Sequence, residues 1–167
     1  TVSVNLSARN LHDPHLSTQL RDALARHDLP ARHLQLELTE SSIMDDPERA
    51  LTVLEALDEL GVRLAIDDFG TGYSSLAYLR HFPVDLLKID RTFVDGLGRR
   101  DIDSAIVSAV STLARTLGMR VVAEGVETAD QLAELRRLDV SMAQGYFMAR
   151  PLPLEGFLEL LAADPTW

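Results

Sequence analysis

Two spacings of apolar residues alternate along the chain. Short runs with apolar residues at every second position, or without a break, predict β-strands, and apolar residues three and four positions apart predict the helices between them. The predicted strands cover residues 1–7, 34–40, 62–68, 84–90, 120–124 and 140–147. Each is followed by a helical pattern, which gives six strand-then-helix units in series. Such a series is typical of a parallel sheet with crossover helices, which is an α/β fold.

Local signals mark the ends of several predicted helices. Asp46 followed by Pro47 predicts a helix start, and Gly61 lies where that helix would stop. Thr128 and Gln131 have the spacing of a capping box, so another helix is predicted to begin there. These signals fall between the predicted strands, as the α/β interpretation requires.

The polar residues within the strands help to choose between two α/β architectures. A doubly wound sheet places its chemistry at one switch point, whereas a barrel gathers side chains from the carboxyl ends of many strands. A polar residue falls late in each predicted strand, and the series is Asn5, Glu37, Asp67, Lys88, Glu124 and Gln144. This distribution favours the barrel. An eight-unit barrel takes about 250 residues, so we expect residues 1–167 to be its C-terminal two-thirds, with two units upstream.

Composition and charge narrow the class of partner. The 167 residues are 46% hydrophobic and 25% charged, which is typical of one globular domain. A formal net charge of −10 argues against a nucleic-acid polymer as partner, because that recognition requires Lys and Arg to neutralise phosphates. The absence of cysteine excludes disulfides and thiolate zinc sites and is compatible with a cytoplasmic location. The least charged stretch, 104–114, is shorter than the ~20 residues of a spanning helix, so no membrane contact is expected.

Residues 64–76 have the profile of a functional site. An apolar run ends in the adjacent carboxylates of Asp67 and Asp68 and turns at once into a loop of glycine and hydroxyl residues. Adjacent residues of a strand point to opposite faces, so both aspartates can serve one centre only through a bend or a cation beyond the strand end. The alternative interpretation is a turn aspartate followed by a helix N-cap.

The strand ends carry far more acidic than basic residues. Lys88 is the cation expected among them, and a desolvated carboxylate cluster cannot stay ionised without further cations. Oxygen ligands favour Mg²⁺ or Mn²⁺ over zinc, and a two-metal site suits in-line attack of an activated water on a phosphoryl group. His12 and His15 are interpreted as surface residues, because no third ligand lies at a suitable spacing. The acidic residues are Glu37, Glu40, Asp67, Asp68, Asp90, Glu124 and Glu127.

Six segments of the chain strongly resemble the EAL domain, a family of cyclic-di-GMP phosphodiesterases. They are 4–7 (Val-Asn-Leu-Ser), 37–41 (Glu-Leu-Thr-Glu-Ser), 67–76 (Asp-Asp-Phe-Gly-Thr-Gly-Tyr-Ser-Ser-Leu), 87–90 (Leu-Lys-Ile-Asp), 122–127 (Val-Ala-Glu-Gly-Val-Glu) and 143–146 (Ala-Gln-Gly-Tyr). The resemblance runs in order from residue 1 to about residue 161. It implies a modified (β/α)8 TIM-type barrel that hydrolyses cyclic di-GMP to linear pGpG with two Mg²⁺ or Mn²⁺ ions.

The resemblance also implies roles for individual residues. The metal-ligand positions are Asn5, Glu37 and Asp67, with Asp68 for the second metal, and the catalytic positions are Lys88, Glu124 and Gln144. Lys88 matches the lysine that contacts the attacking water. The loop and supporting positions are Glu40, Thr71, Ser75, Asp90 and Glu127. Glu40 matches the glutamate that holds the 70–75 loop, which the family ties to dimerisation and metal occupancy, so a homodimer is a candidate assembly. An acid preceding a helix N-terminus is the alternative for Glu127.

One departure from the family pattern affects the functional prediction. The strand that carries the Glu-Ala-Leu motif, whose glutamate is a metal ligand, and the arginine after it is expected upstream of Val4 and is not among residues 1–167. A non-catalytic cyclic-di-GMP receptor or interaction module is therefore the main alternative, and an unrelated metal-dependent barrel hydrolase is the third. The presence of Asp67, Lys88 and Glu124 favours the phosphodiesterase.

Overall fold

The computed structural model describes residues 1–71 and 76–167 of the chain. Within these residues six strands form one parallel sheet, and each strand pairs with the next one in sequence. A doubly wound sheet reverses its strand order at a switch point, whereas this order is that of a barrel wall. The strands are β1 (Val2–Asn5), β2 (Leu34–Thr39), β3 (Arg63–Phe69), β4 (Leu86–Ile89), β5 (Arg120–Ala123) and β6 (Met142–Ala143).

Helices connect these strands. The long connecting helices are α2 (Leu16–Arg26), α4 (Pro47–Asp58), α7 (Asp101–Thr116), α8 (Ala129–Arg137) and the C-terminal α9 (Leu154–Ala163). The short ones are α1 (Ala8–Leu11), α3 (Glu40–Met44), α5 (Leu76–Leu79) and α6 (Arg91–Val94). Helices α1, α3 and α6 begin just after strands, on the capping residues Ser7, Thr39 and Asp90. None of the three was predicted, because one turn of helix is too short to show an apolar period.

The predicted helix signals of the longer units are confirmed. Asp46 caps α4 by accepting a hydrogen bond from the backbone N–H of Arg49. Thr128 and Gln131 form the predicted capping box at the start of α8. The prediction of a sixth strand over 140–147 is wrong in length, because only Met142–Ala143 has strand pairing. The N–H of Phe147 instead donates to the carbonyl of Val126, so the chain after β6 follows the loop after β5.

The central strands of the sheet are buried on both faces, whereas the outer strand β1 is exposed. The larger core lies between the sheet and the surrounding helices and includes Leu64, Leu87 and Ile89. A second apolar cluster, made by Ala65, Leu86, Val122 and Met142, lies on the opposite face. Burial on both faces explains why β3, β4 and β5 are nearly continuous apolar runs. The described helices include none that has both the length and the hydropathy needed to cross a bilayer.

Candidate functional site

Three carboxylates converge on the ammonium group of Lys88. Its Nζ lies 2.6 Å from Glu37 Oε2, 3.0 Å from Asp67 Oδ1 and 2.8 Å from Glu124 Oε1. The Lys88 side chain is only 8% exposed, and the carboxylates are half-buried. Glu37, Asp67 and Lys88 lie on β2, β3 and β4, and Glu124 directly follows β5. Four neighbouring strands therefore contribute to one centre.

Strand geometry explains this convergence. Parallel strands end at the same edge of a sheet, and successive residues of a strand point to opposite faces. Leu87 and Ile89 are fully buried in the larger core, so Lys88 between them points to the other face. The N–H of Glu124 donates to the carbonyl of Ile89 at 3.1 Å, which continues the β4–β5 pairing by one residue. The alternation of side chains along the strands and the pairing of their ends therefore place these side chains together.

The environment fixes the charge of Lys88. Burial by itself lowers the pKa of this side chain, but hydrogen bonds to Glu124, Glu37 and Asp67 outweigh burial and raise the pKa above its ordinary value. Lys88 therefore stays an ammonium ion at neutral pH. Such a group donates hydrogen bonds and stabilises negative charge, but it does not serve as a general base.

The pKa values of two of these carboxylates are shifted in opposite directions. Burial raises the pKa of Glu37, but hydrogen bonds from Lys88, Ser3 and Gln35 outweigh this effect and lower the pKa overall. Burial also raises the pKa of Glu124, and its bond with Lys88 does not compensate for the burial and the neighbouring charges of Asp67 and Glu37. Three carboxylates share one ammonium group, so the centre retains excess negative charge.

A bend in β3 brings Asp67 and Asp68 to the same end of the sheet. The β3–β4 register shifts between Ile66 and Phe69, and Asp68 adopts a left-handed backbone conformation with φ of 54°. The Asp68 N–H donates to Asp67 Oδ1 at 3.1 Å. Burial raises the pKa of Asp68, and the charges of Asp67 and Asp90 raise it further. The bend that two adjacent aspartates require at one centre is thus present.

Glu40 connects the end of β2 to the loop after β3. Its side chain is buried at the start of α3, and its Oε2 accepts a hydrogen bond from the Gly70 N–H at 3.0 Å. Thr71 donates from its hydroxyl to the Asp68 carbonyl at 2.8 Å, which stabilises the turn after the aspartates. Ser75 lies outside the described residues. The contacts of Glu40 and Thr71 therefore support the loop that follows the two aspartates.

The other predicted residues lie around this centre. Asn5 ends β1, is exposed and pairs in register with Glu37. Gln144 follows β6, is exposed, and its N–H donates to the Ala123 carbonyl at 2.8 Å, which places it beside the end of β5. Asp90 caps α6 by accepting from the Thr92 N–H at 2.9 Å. The observed contacts of Asp90 are those of a helix cap.

Arg91 is a residue that the sequence prediction missed. Its Nη2 lies 2.9 Å from Glu127 Oε1, and its Nε lies 3.3 Å from Asp95 Oδ1. Lys88 is therefore not alone in opposing the predicted acidic cluster, because Arg91 pairs with Glu127. Gly125 has φ of +73°, and a Cβ atom on it would lie 2.5 Å from Arg91 Cγ. The Arg91 side chain thus packs on the loop that carries Glu124, a contact between distant segments that no local pattern indicates.

The donor atoms suit a hard divalent cation. Within residues 1–71 and 76–167, no three His, Asp or Glu side chains are arranged to hold a metal ion by themselves. The Lys88 ammonium instead lies where three carboxylates meet. The predicted ligands offer only carboxylate and amide oxygens, which Mg²⁺ and Mn²⁺ prefer over the nitrogen and sulfur ligands of zinc. The residues of the site therefore fit the expected metals in their chemistry.

Comparison with known proteins identifies similar sequences. The model of the EAL domain family matches residues 1–151. The chain is 48% identical over 161 residues to the bifunctional diguanylate cyclase/cyclic di-GMP phosphodiesterase MucR of Pseudomonas aeruginosa, covering 96% of this chain and 24% of MucR. It is 38% identical over 156 residues to the cyclic di-GMP phosphodiesterase PdeR of Escherichia coli, covering 93% of this chain and 24% of PdeR. The chain thus spans about a quarter of these relatives.

Solved structures share the fold. One, named PaMucR phosphodiesterase, c-di-GMP complex, superposes with a TM-score of 0.90 at 48% identity and covers 94% of this chain and 64% of that one. A manganese/cy-diGMP complex of Klebsiella pneumoniae BlrP1 has a TM-score of 0.83 at 35% identity and covers 89% of this chain and 38% of that one. These similarities place the six-stranded sheet in the wall of an EAL-type barrel.

Proposed function

Because this chain belongs to the EAL domain family, we propose that it is part of a phosphodiesterase that hydrolyses cyclic di-GMP to linear pGpG. The observation that carries the proposal is the convergence of Glu37, Asp67 and Glu124 on Lys88 at the carboxyl ends of the strands. Active sites of barrel enzymes lie at this face. The names of MucR and PdeR, which include cyclic di-GMP phosphodiesterase, support the choice of substrate.

The metal ligands of the proposed site are all oxygen donors. Asn5, Glu37 and Asp67 would hold one Mg²⁺ or Mn²⁺ ion, and Asp68 would serve the second. Such ions, when bound, polarise a phosphodiester and lower the pKa of water. The negative charge that remains around Lys88 favours binding of divalent cations at this end of the sheet. The manganese complex of BlrP1 supports this choice of cofactor.

The remaining residues of the site would orient water and substrate. The Lys88 ammonium, held by three carboxylates, would donate a hydrogen bond to the attacking water and stabilise the charge that develops on the phosphate. Burial raises the pKa of Glu124, which makes this carboxylate suited to accept a proton. Gln144 is exposed beside the end of β5 and would contact the substrate with its amide.

We also propose that residues 1–167 are the C-terminal two-thirds of the barrel and that two βα units with the Glu-Ala-Leu motif precede them. The chain covers 64% of the PaMucR structure, which supports this division. β1 and β6 are the outer strands of the described sheet, and each has a free edge that further strands can pair with.

The alternative is a receptor that binds cyclic di-GMP without hydrolysing it. The observation that favours it is that Glu37, Asp67 and Glu124 all pair with the Lys88 ammonium, so a cation of the chain itself engages these oxygens. A receptor would bind cyclic di-GMP at equal affinity with and without Mn²⁺ and would release no pGpG. The phosphodiesterase would need Mn²⁺ for product formation.

The test compares residues 1–167 with a form extended upstream through the Glu-Ala-Leu strand, each incubated with cyclic di-GMP at equal Mn²⁺. We expect pGpG, detected by liquid chromatography, from the extended form, its loss on addition of a chelator, and much slower hydrolysis by the shorter chain. Binding without pGpG formation by the extended form would contradict the proposal and favour the receptor. Asp67→Asn in the extended form is the inactive control.

A further inference from the structure

Gln35 is a buried polar residue on the face of the sheet that lies opposite the larger core. It precedes Glu37 by two positions on β2 and so points to the same face. The neighbouring strands place Ala65, Leu86 and Val122 on this face, and those side chains form an apolar cluster. Gln35 is only 9% exposed, and burial of an amide is unfavourable unless the amide is hydrogen-bonded.

The hydrogen bonds of Gln35 lead to Glu37. Its Nε2 donates to Ser3 Oγ at 3.0 Å and to Glu37 Oε1 at 3.1 Å. The other carboxylate oxygen of Glu37 accepts from Lys88 Nζ at 2.6 Å. Glu37 is therefore held on both oxygens by Gln35 of its own strand and Lys88 of β4, and Ser3 of β1 also hydrogen-bonds to it. Ser3 lies opposite Gln35 in the β1–β2 register, which fixes the amide in turn.

We propose that Gln35, fixed by Ser3, is a positioning residue that orients the Glu37 carboxylate for binding a divalent cation. The proposal rests on the proposed function, in which Glu37 is a metal ligand. Ligating carboxylates are oriented by hydrogen bonds from outer partners, and loss of such a partner typically weakens metal binding by about 10-fold to 100-fold. Gln35 therefore acts on the metal through Glu37 and does not contact the metal itself.

A purely structural role makes a different prediction. If the hydrogen bonds of Gln35 served only to compensate for burial of its amide, substitution of Gln35 would change thermal stability and leave metal affinity unaltered. If Gln35 orients Glu37, the affinity for metal falls even in a variant that folds normally. Metal affinity measured without any substrate therefore separates the two roles.

The test measures Mn²⁺ binding to the form extended upstream through the Glu-Ala-Leu strand by electron paramagnetic resonance, with thermal denaturation followed in parallel. Gln35→Met keeps the length of the side chain and removes both hydrogen bonds. Ser3→Ala leaves Gln35 in place but releases its amide, and it also removes the direct bond from Ser3, an exposed residue of β1, to Glu37. Gln19→Met is the matched control, because Gln19 is exposed and donates to Asp13 at 3.2 Å.

We expect Mn²⁺ affinity to fall about 10-fold or more in Gln35→Met, to fall less in Ser3→Ala, and to stay unchanged in Gln19→Met. Equal affinity of wild type and folded Gln35→Met would overturn this inference and leave the proposed function intact. Should Gln35→Met not fold, unchanged affinity of Ser3→Ala would overturn it. A wild-type extended form that binds no Mn²⁺ at millimolar concentration would overturn the proposed function and this inference with it.

Discussion

Two carboxylates of this chain form similar contacts with a cation and have opposite pKa shifts. Glu134 on α8 lies 2.6 Å from Arg137 and also accepts from the Ser104 hydroxyl, and these bonds lower its pKa to about 2. Glu124 lies 2.8 Å from Lys88, yet burial and neighbouring carboxylates raise its pKa. The distance to a cation therefore does not determine the behaviour of either group.

The cation and the number of its partners account for the difference. Arg137 is 65% exposed and pairs with one carboxylate, whereas Lys88 is 8% exposed and is shared by three. A pair whose cation is exposed is screened by water and contributes little, while a buried cation with unbalanced charge around it remains sensitive to every added or removed charge. The buried centre around Lys88 is suited to bind cations, whereas the Glu134–Arg137 pair stabilises the surface of a helix.

Lys88→Met should have the largest effect. Removing the ammonium leaves three half-buried carboxylates facing one another, so we expect loss of hydrolysis by orders of magnitude in the extended domain. Without metal we also expect the free energy of unfolding to fall by about 1–3 kcal/mol, with partial recovery on addition of Mn²⁺. Pre-steady-state hydrolysis assays and thermal melts measure both effects. Arg137→Met is the matched control, and wild-type turnover in Lys88→Met would contradict the assignment.

Asp67→Asn tests the charge of the centre without changing its shape. The amide oxygen can still accept a hydrogen bond from Lys88, but one negative charge is lost. We expect weaker metal binding and the loss of most hydrolysis, with the melting temperature little changed. Titration of activity against Mg²⁺ measures the effect. Unchanged turnover at limiting Mg²⁺ would rule out Asp67 as a metal ligand.

Gly125→Ala tests the support of Glu124 by Arg91. Gly125 has φ of +73°, and a new Cβ would lie 2.5 Å from Arg91 Cγ, so the loop must shift. Gly118→Ala is the matched control, because Gly118 has φ of +77° but no atom near a new Cβ. Left-handed strain alone costs about 1–2 kcal/mol, and we expect Gly125→Ala to lose more stability than the control and to lower turnover several-fold. Equal melting temperatures and turnover in the two variants would contradict a role for Arg91.

The sequence predicted the parts of this molecule that depend on short-range periodicity. The alternation of β2 and β4 located Glu37 and Lys88 on strands, and the common end of parallel strands placed both with Asp67 and Glu124. The family and the barrel class are confirmed by the comparisons. The roles of the individual site residues, the cytoplasmic location and the homodimer stay predictions.

The features that were missed depend on contacts between distant segments. Arg91 reaches Glu127 across two elements, and Gln35 meets Ser3 only because β1 and β2 pair in that register. The periodicity of a sequence predicts which face of a helix or strand a side chain lies on. It does not predict which side chains of two different elements will be in contact. The short length of β6 has the same origin, because the chain after it is held by the loop after β5.

Glu134→Gln should have the smallest effect of these substitutions. It tests the ion pair with the exposed Arg137, in contrast to the buried centre around Lys88. The folded-state pKa of Glu134 is lowered to about 2, whereas a glutamate in the unfolded chain titrates near ~4.3. Its ion pair therefore stabilises the fold fully above the unfolded pKa, and this stabilisation is lost as pH falls from about 5 towards 2. We expect the wild type to exceed Glu134→Gln in stability by less than about 1 kcal/mol at pH 7, because Arg137 is largely exposed, and the difference to vanish near pH 2. Urea denaturation of both proteins across this pH range measures it, and a difference that grows as pH falls would contradict the sign of the shift.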